Sequence, residues 1–347
     1  MGTFQADFGQ WYARAFGFRP RLIRCYNEVM YRALRESAET KRQKRFVGRD
    51  GWLYSWDYIE HLCFPRALEQ GLLSHRVATL AKARDILAQE GVALVVAVAP
   101  SKANVHADML PARFRRLAPP PSECYQSMIN MFEESEIPYV DFDAQFIRHR
   151  KEDRDFMPFP STGIHWNYVV AGDALEQIMG MAEQQLGFPI KRSVPRGVIQ
   201  RESIASDRDL LDMLNIATTE RFVLPSPYPR YEKCAPEGAQ EVKMFFVGDS
   251  FASQLIRIIA DQRMCPQPTF WSYFCDEKEV GSTYRRAFRT SRIDKPAIDW
   301  DEVIAEHDII VIEFNVVFCW NQQEHGFGWG FADRLVAAME RSCEEEH

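Results

Sequence analysis

No run of the chain approaches the roughly 18 consecutive apolar residues of a membrane span, and its first twenty residues, MGTFQADFGQWYARAFGFRP, lack the hydrophobic centre of a secretory signal. The chain as it stands is therefore expected to be soluble, which leaves its native compartment open. Positive charge is also in deficit: 42 Lys and Arg against 49 Asp and Glu give a formal charge of -7. Such a surface does not displace phosphate counterions at large, which argues against nucleic acid as a partner. One basic run, Lys41, Arg42, Lys44 and Arg45, reads as a solvated linker rather than a phosphate site. Paired cysteines are missing too. The eight cysteines, at 25, 63, 124, 234, 265, 275, 319 and 343, show neither CxxC nor zinc-finger spacing. No His, Asp and Glu cluster has ligand-like spacing, so neither a metal nor another cofactor is expected. Cys265 and Cys275, the closest pair, are the candidates for a disulfide.

What is present is enough apolar residue for a large core: 347 residues, 46% of them hydrophobic and 26% charged. Residues 4 to 38 space Phe8, Trp11, Leu22, Tyr26 and Val29 at helical intervals, with a break near Gly17 and Pro20. FVGRDGWLY at 46 to 54 carries a DG turn signal between large side chains and predicts a short hairpin. VALVVAVAP at 92 to 100 is apolar on both strand faces, which predicts a parallel strand covered from both sides. IPYVDF at 137 to 142, KMFFVGD at 243 to 249 and DIIVIEF at 308 to 314 read as further strands. Helices are predicted over 75–90, 122–136, 168–184 and 251–260. The alternation predicts an α/β fold, a three-layer sandwich with a mostly parallel central sheet. Residues 1–45 read as an N-terminal helical segment packed on a main domain of 46–340. The stretch 186–240, rich in Pro, Ser and charge around DRDLLDMLNI, reads as an insertion beside the site.

The segment KMFFVGDSFASQLIRII at 243 to 259 is the leading chemical feature. Gly248 permits a tight turn, Asp249 and Ser250 follow the carboxyl end of a buried strand, and a helix starts at once. Ligands bind outside the carboxyl ends of such strands, and main-chain N–H groups at the helix start can stabilise an oxyanion formed when Ser250 attacks a carbonyl. The bland alternative is that Asp249 or Ser250 caps the helix. A serine needs a base. His165, in FPSTGIHWNYVVAGDALEQI, is the best candidate, with Trp166 beside it as a wall against water; His106 and His325 are weaker competitors.

At this point the chain resembles the alginate O-acetyltransferase group of SGNH-hydrolase-like proteins, the AlgJ and AlgX type. FGFRPRLIRCYNEVMY at 16 to 31, VGRDGWLY at 47 to 54, VVAVAPSKANVHADMLP at 95 to 111, GIHW at 163 to 166 and VGDSF at 247 to 251 carry the resemblance. It implies an SGNH-hydrolase-like fold, a Ser250–His165 pair, and transfer or removal of acetyl groups on polysaccharide hydroxyls. It also implies a periplasmic or extracytoplasmic location, membrane-tethered in the full-length form, beside a membrane-bound O-acyltransferase partner. In one place the chain departs from the pattern: where the family has an aspartate two residues before the histidine, this chain has Gly163. Asp143, Asp153 and Asp155 are the candidate orienting acids, with a backbone carbonyl as a further choice.

Around the same sheet edge, Lys102 is a candidate for holding an anionic sugar or the substrate backbone, with a solvated surface lysine as the alternative. Glu313 and Asn315 are candidates for site support, and Gly248 and Asn315 for oxyanion support; strand termination is the competing reading. Asp249 reads as a brace of the turn. Trp320 and Trp329 bracket NQQEHGFGWG, a candidate wall of a glycan groove. Two functions stand: an O-acyltransferase or acylesterase on an extracytoplasmic polysaccharide through an acyl-enzyme, or a noncatalytic glycan-binding or scaffolding module, for which Gly163 is the main support. A monomer is expected.

Overall fold

The computed structural model describes residues 17–37, 44–64, 70–117, 123–266, 268–279, 288–317 and 327–345, together with Gln5, residues 7–9 and Trp11. Its strands are β1 (Arg45–Val47), β2 (Leu53–Ser55), β3 (Ala93–Ala99), β4 (Tyr139–Asp141), β5 (Arg192–Arg201), β6 (Ser226–Cys234), β7 (Met244–Gly248), β8 (Thr269–Ser272), β9 (Asp276–Glu279), β10 (Arg289–Arg292) and β11 (Ile309–Asn315). Seven of them form one sheet in the order β10-β9-β8-β7-β11-β3-β4. From β8 to β4 every pairing is parallel, and β9 and β10 extend the β8 edge antiparallel.

The two-sided burial expected of the apolar runs follows their alternation. Ala93, Val95, Ala97 and Ala99 of β3 face one helical layer with Met244 and Phe246 of β7. Leu94, Val96 and Val98 face the other with Phe245, Val247, Ile310 and Ile312. The helices Tyr168–Leu186 and Ala252–Gln262 cover the first face; Gln70–Gln89, Glu123–Glu134 and Phe327–Glu345 cover the second. The result is a three-layer α/β sandwich of the SGNH-hydrolase-like class with a mostly parallel sheet. The chain leaves β3 toward β4 and β7 toward β8, on opposite sides of β11, so the strand order reverses there, the position outside whose carboxyl ends open α/β sheets bind ligands.

Outside the sheet, β1 and β2 form the hairpin predicted at the DG turn, with Asp50 and Gly51 both at positive φ. The stretch 186–240 holds a two-stranded ribbon of β5 and β6 that the sequence hides. Pro195, Gly197, Pro227 and Pro229 interrupt both strands, and the register shifts between Pro195 and Val198. Residues 203–225 join the two strands and contain the short helix Asp209–Met213. Cys265 and Cys275 are free thiols rather than a disulfide; Tyr273 and Phe274, both at positive φ, shape the turn between them. Trp329 is a core residue against Phe132 and Phe314, not a groove wall. Trp320 and His325 lie outside the described residues.

Candidate active site

The turn after β7 is built from buried polar atoms. A Cβ on Gly248 would stand 2.7 Å from both the Ala252 Cβ and Glu313 Oε2, so glycine alone lets the following helix fold back over the strand end. Asp249 is fully buried; one carboxylate oxygen accepts the Phe251 N–H at 2.7 Å and the other the Asn315 N–H at 3.0 Å. Glu313 Oε2 accepts the N–H groups of Asp249 at 2.9 Å and of Ala252 at 3.2 Å. Burial, and then the Asp249 charge beside it, holds the Glu313 carboxyl well above its ordinary range. Two carboxyl groups thus pin the main chain on either side of Ser250.

His165 Nε2 lies 2.8 Å from Ser250 Oγ. On the other side of the ring, Nδ1 lies 2.6 Å from Asp209 Oδ2. Asp209 comes from the first turn of the short helix in the 186–240 stretch, and its Oδ1 accepts the N–H of Ile164 at 2.8 Å and of Leu210 at 2.7 Å. One carboxylate therefore holds both the imidazole and the main chain next to it. The ring also packs on Phe251, 4.9 Å between centroids. Trp166 is fully buried against Phe142 and Phe251, behind the loop rather than over the imidazole. With Nδ1–H donated to a carboxylate, Nε2 is left as the acceptor for the serine proton.

The loop carrying His165 is clamped from both sides. Lys102, with 1% of its surface exposed, donates its ammonium to the carbonyl oxygens of Pro160 at 2.8 Å, Ser161 at 3.0 Å and Gly163 at 2.6 Å, using all three of its N–H bonds. The Trp52 and Tyr54 rings flank it. Burial pushes this amine down to about 7, against the opposing pull of Asp209. Lys102 is thus neither a ligand for an anionic sugar nor a surface lysine: its charge is spent on main chain. From the other side, the Thr162 hydroxyl donates to Asp207 O at 3.0 Å and Leu211 N–H to Thr162 O at 3.1 Å.

Gly163 has a steric reason. A Cβ there would stand 2.7 Å from the carbonyl oxygens of both Ser206 and Asp207. The segment that brings Asp209 to the histidine occupies the space that an aspartate at 163 would need. None of Asp143, Asp153 and Asp155 hydrogen bonds His165 among the described residues; the carboxylate at its Nδ1 is that of Asp209. Asp143 is buried where it accepts the Ser101 N–H at 2.7 Å and the Asn104 amide at 2.9 Å, and burial raises it to about 7. Asp153 accepts the Asp155 N–H at 2.8 Å in an exposed turn. Asn315 also serves main chain: its amide donates to Pro100 O at 2.8 Å and accepts the Val317 N–H at 3.0 Å. His106 is fully buried against Trp52, and burial takes it down to about 3, unsuited to a base near neutrality. Tyr273, whose hydroxyl lies beside Ser250, was not read from the sequence as part of this site. Burial raises its pKa, so it stays a neutral hydroxyl beside the nucleophile.

A family model described as an SGNH hydrolase-like domain, acetyltransferase AlgX, matches residues 46–255, a span that contains His165, Asp209 and Ser250. No curated protein matches the chain. Among solved structures, the O-acetyltransferase domain of Pseudomonas putida AlgJ is similar at 16% identity and a TM-score of 0.47, over 85% of this chain and 99% of that one. Pseudomonas aeruginosa AlgX is similar at 13% identity and a TM-score of 0.49, over 84% of this chain and 68% of that one. Bacillus cereus PatB1 with a sulfonyl adduct is similar at 12% identity and a TM-score of 0.45, over 82% and 97%.

Proposed function

We propose that this chain, which belongs to the SGNH hydrolase-like acetyltransferase AlgX family, transfers acyl groups through a Ser250–His165–Asp209 triad. The observation that carries the reading is the continuous chain of short contacts from Asp209 Oδ2 through both ring nitrogens of His165 to Ser250 Oγ. His165 Nε2 takes the Ser250 proton as Oγ bonds to the acyl carbonyl carbon, and Asp209 stabilises the imidazolium that forms. The negative charge on the carbonyl oxygen falls beside the Ser250 N–H and the Tyr273 hydroxyl. His165 then returns the proton to the departing donor oxygen, leaving an acyl-serine. An acceptor hydroxyl gives its proton to Nε2 and takes the acyl group, and Ser250 is restored. With a sugar hydroxyl the outcome is transfer; with water it is ester hydrolysis.

Family membership supports an acetyl group and a polysaccharide acceptor, outside the cytoplasmic membrane and next to a membrane-bound O-acyltransferase. Among the described residues no helix is long and apolar enough to cross a membrane. The noncatalytic scaffold reading rests on Gly163, and the contact of Asp209 with Nδ1 favours the catalytic reading over it. The test is acetate release from a simple aryl acetate, with trapping by a sulfonyl probe and mass spectrometry. Turnover and a single adduct on Ser250, both absent in Ser250→Ala and His165→Ala, are expected. An unmodified protein that neither turns over nor takes the probe better than Ser250→Ala would sink the triad.

A further inference from the structure

The helix Arg19–Val29 buries none of its residues. Its polar side is held to the body: the Asn27 amide donates to Leu214 O at 3.0 Å and Asn215 O at 3.2 Å, Arg24 donates to Asn215 Oδ1 at 3.3 Å, and Glu28 accepts the Thr218 hydroxyl at 2.6 Å. At about 100° per residue, Phe18, Leu22, Cys25, Tyr26 and Val29 fall together on the opposite side. Phe18 is 62% exposed, Leu22 52%, Tyr26 58% and Val29 61%. Of the fourteen large hydrophobic side chains exposed among the described residues, seven precede residue 35. The exposed apolar side chains are therefore concentrated in the N-terminal segment and are not ordinary surface scatter.

Positive charge is concentrated in the same stretch of the sequence. Residues 14 to 45 hold ten Lys and Arg against three Glu in a chain whose net charge is -7. Arg21 lies on one border of the apolar stripe and Arg19 on the other. A helix with an apolar stripe bordered by arginines lies in the plane of a lipid interface, apolar side down, where its cations meet anionic headgroups. Eleven residues rise about 16 Å, too short for a bilayer core of about 30 Å, so the helix lies on the surface and does not cross it. We propose that the helix Arg19–Val29 docks the domain on an anionic membrane surface through Leu22, Tyr26 and Val29. The acidic remainder of the chain is repelled by the same lipid, which orients the molecule with this segment toward the bilayer.

Co-sedimentation of the full chain with vesicles tests this. Vesicles of equal parts phosphatidylglycerol and phosphatidylcholine are expected to carry the protein down at low salt, and vesicles of phosphatidylcholine alone are not. Leu22→Glu with Val29→Glu is expected to lower the bound fraction by roughly tenfold or more without moving the melting temperature. Arg21→Glu is expected to weaken binding at low salt and to matter less at high salt, where the attraction is screened. Failure of the unmodified protein to sediment with the anionic vesicles would overturn the proposal, as would unchanged sedimentation of the double variant. A dimer by light scattering that the double variant dissolves, with no lipid binding by either, would assign the stripe to a second copy and overturn it too.

Discussion

The two sides of the proposed triad are held in different ways. Ser250 sits on a turn pinned to the central sheet: Gly248 ends β7, Glu313 and Asn315 belong to β11, and Asp249 is sealed between them. Asp209 sits on a short helix that the β5–β6 ribbon carries in from outside the sheet. The contrast shows how unequal the demands are. A nucleophile must meet a carbonyl within a few tenths of an ångström while keeping main-chain N–H groups aimed at the developing charge, which only a rigid turn supplies. The third member needs only a carboxylate oxygen at Nδ1, and any segment that reaches the ring can provide one.

The largest effect that sharpens this contrast is expected on the sheet side. Ser250→Ala should lower kcat/KM on an aryl acetate by on the order of 10⁴-fold or more, and Asp209→Asn by roughly 10²- to 10⁴-fold. An Asp209→Asn loss of only a few-fold would mean that the ribbon contributes no working acid. In the Asp209→Asn background, Gly163→Asp is expected to restore nothing, because its Cβ would strike the carbonyls of Ser206 and Asp207; recovered turnover would show that the segment yields. Gly163→Ala alone should lower stability by about 1–3 kcal/mol and displace the acid, read as a loss of kcat with KM nearly kept.

A smaller effect is expected at the clamp. Lys102→Met strips the donors from three buried carbonyls and should lower the unfolding free energy by about 1–3 kcal/mol in urea, with a loss of kcat that follows the loosened His165 loop. The smallest change is expected at Asp143. Its carboxyl is raised from 3.8 to about 7 by burial, so the folded state holds its proton over a pH range in which the unfolded chain releases it. That contribution to stability is fully present below about 4 and is lost as pH rises through about 7. Asp143→Asn keeps a carbonyl for the Ser101 N–H and should flatten this part of the stability profile with little effect on turnover. A slope that persists in Asp143→Asn would place the titration elsewhere.

Ser250 and His165 were legible because each carries a local signature. A glycine and a small polar pair between an apolar strand and an amphipathic helix define the elbow, and a histidine in a Pro, Ser, Thr and Gly stretch before a helix marks the base. Asp209 has no such mark. It stands 44 residues after His165, among Asp207 and Asp212, and nothing in DRDLLDMLNI distinguishes the one that faces the ring. Lys102 misled for the same reason, since a lysine just past a strand end gives no sign that three carbonyls from a distant loop will enclose it. The ribbon was hidden by its prolines and glycine, and β9 and β10 by their charged sequences, DEKE and RTSR.

Chain order and hydrophobic period alone determined the sheet, its two helical layers and the place of the nucleophile, because apolar runs of β3, β7 and β11 can be buried only between layers. Tertiary structure decided the rest of the site. Which carboxylate reaches Nδ1, and why residue 163 has no room for a side chain, both depend on where a segment from the ribbon comes to lie against the loop of His165. That is set by packing between residues far apart in the chain, and local sequence pattern does not encode it.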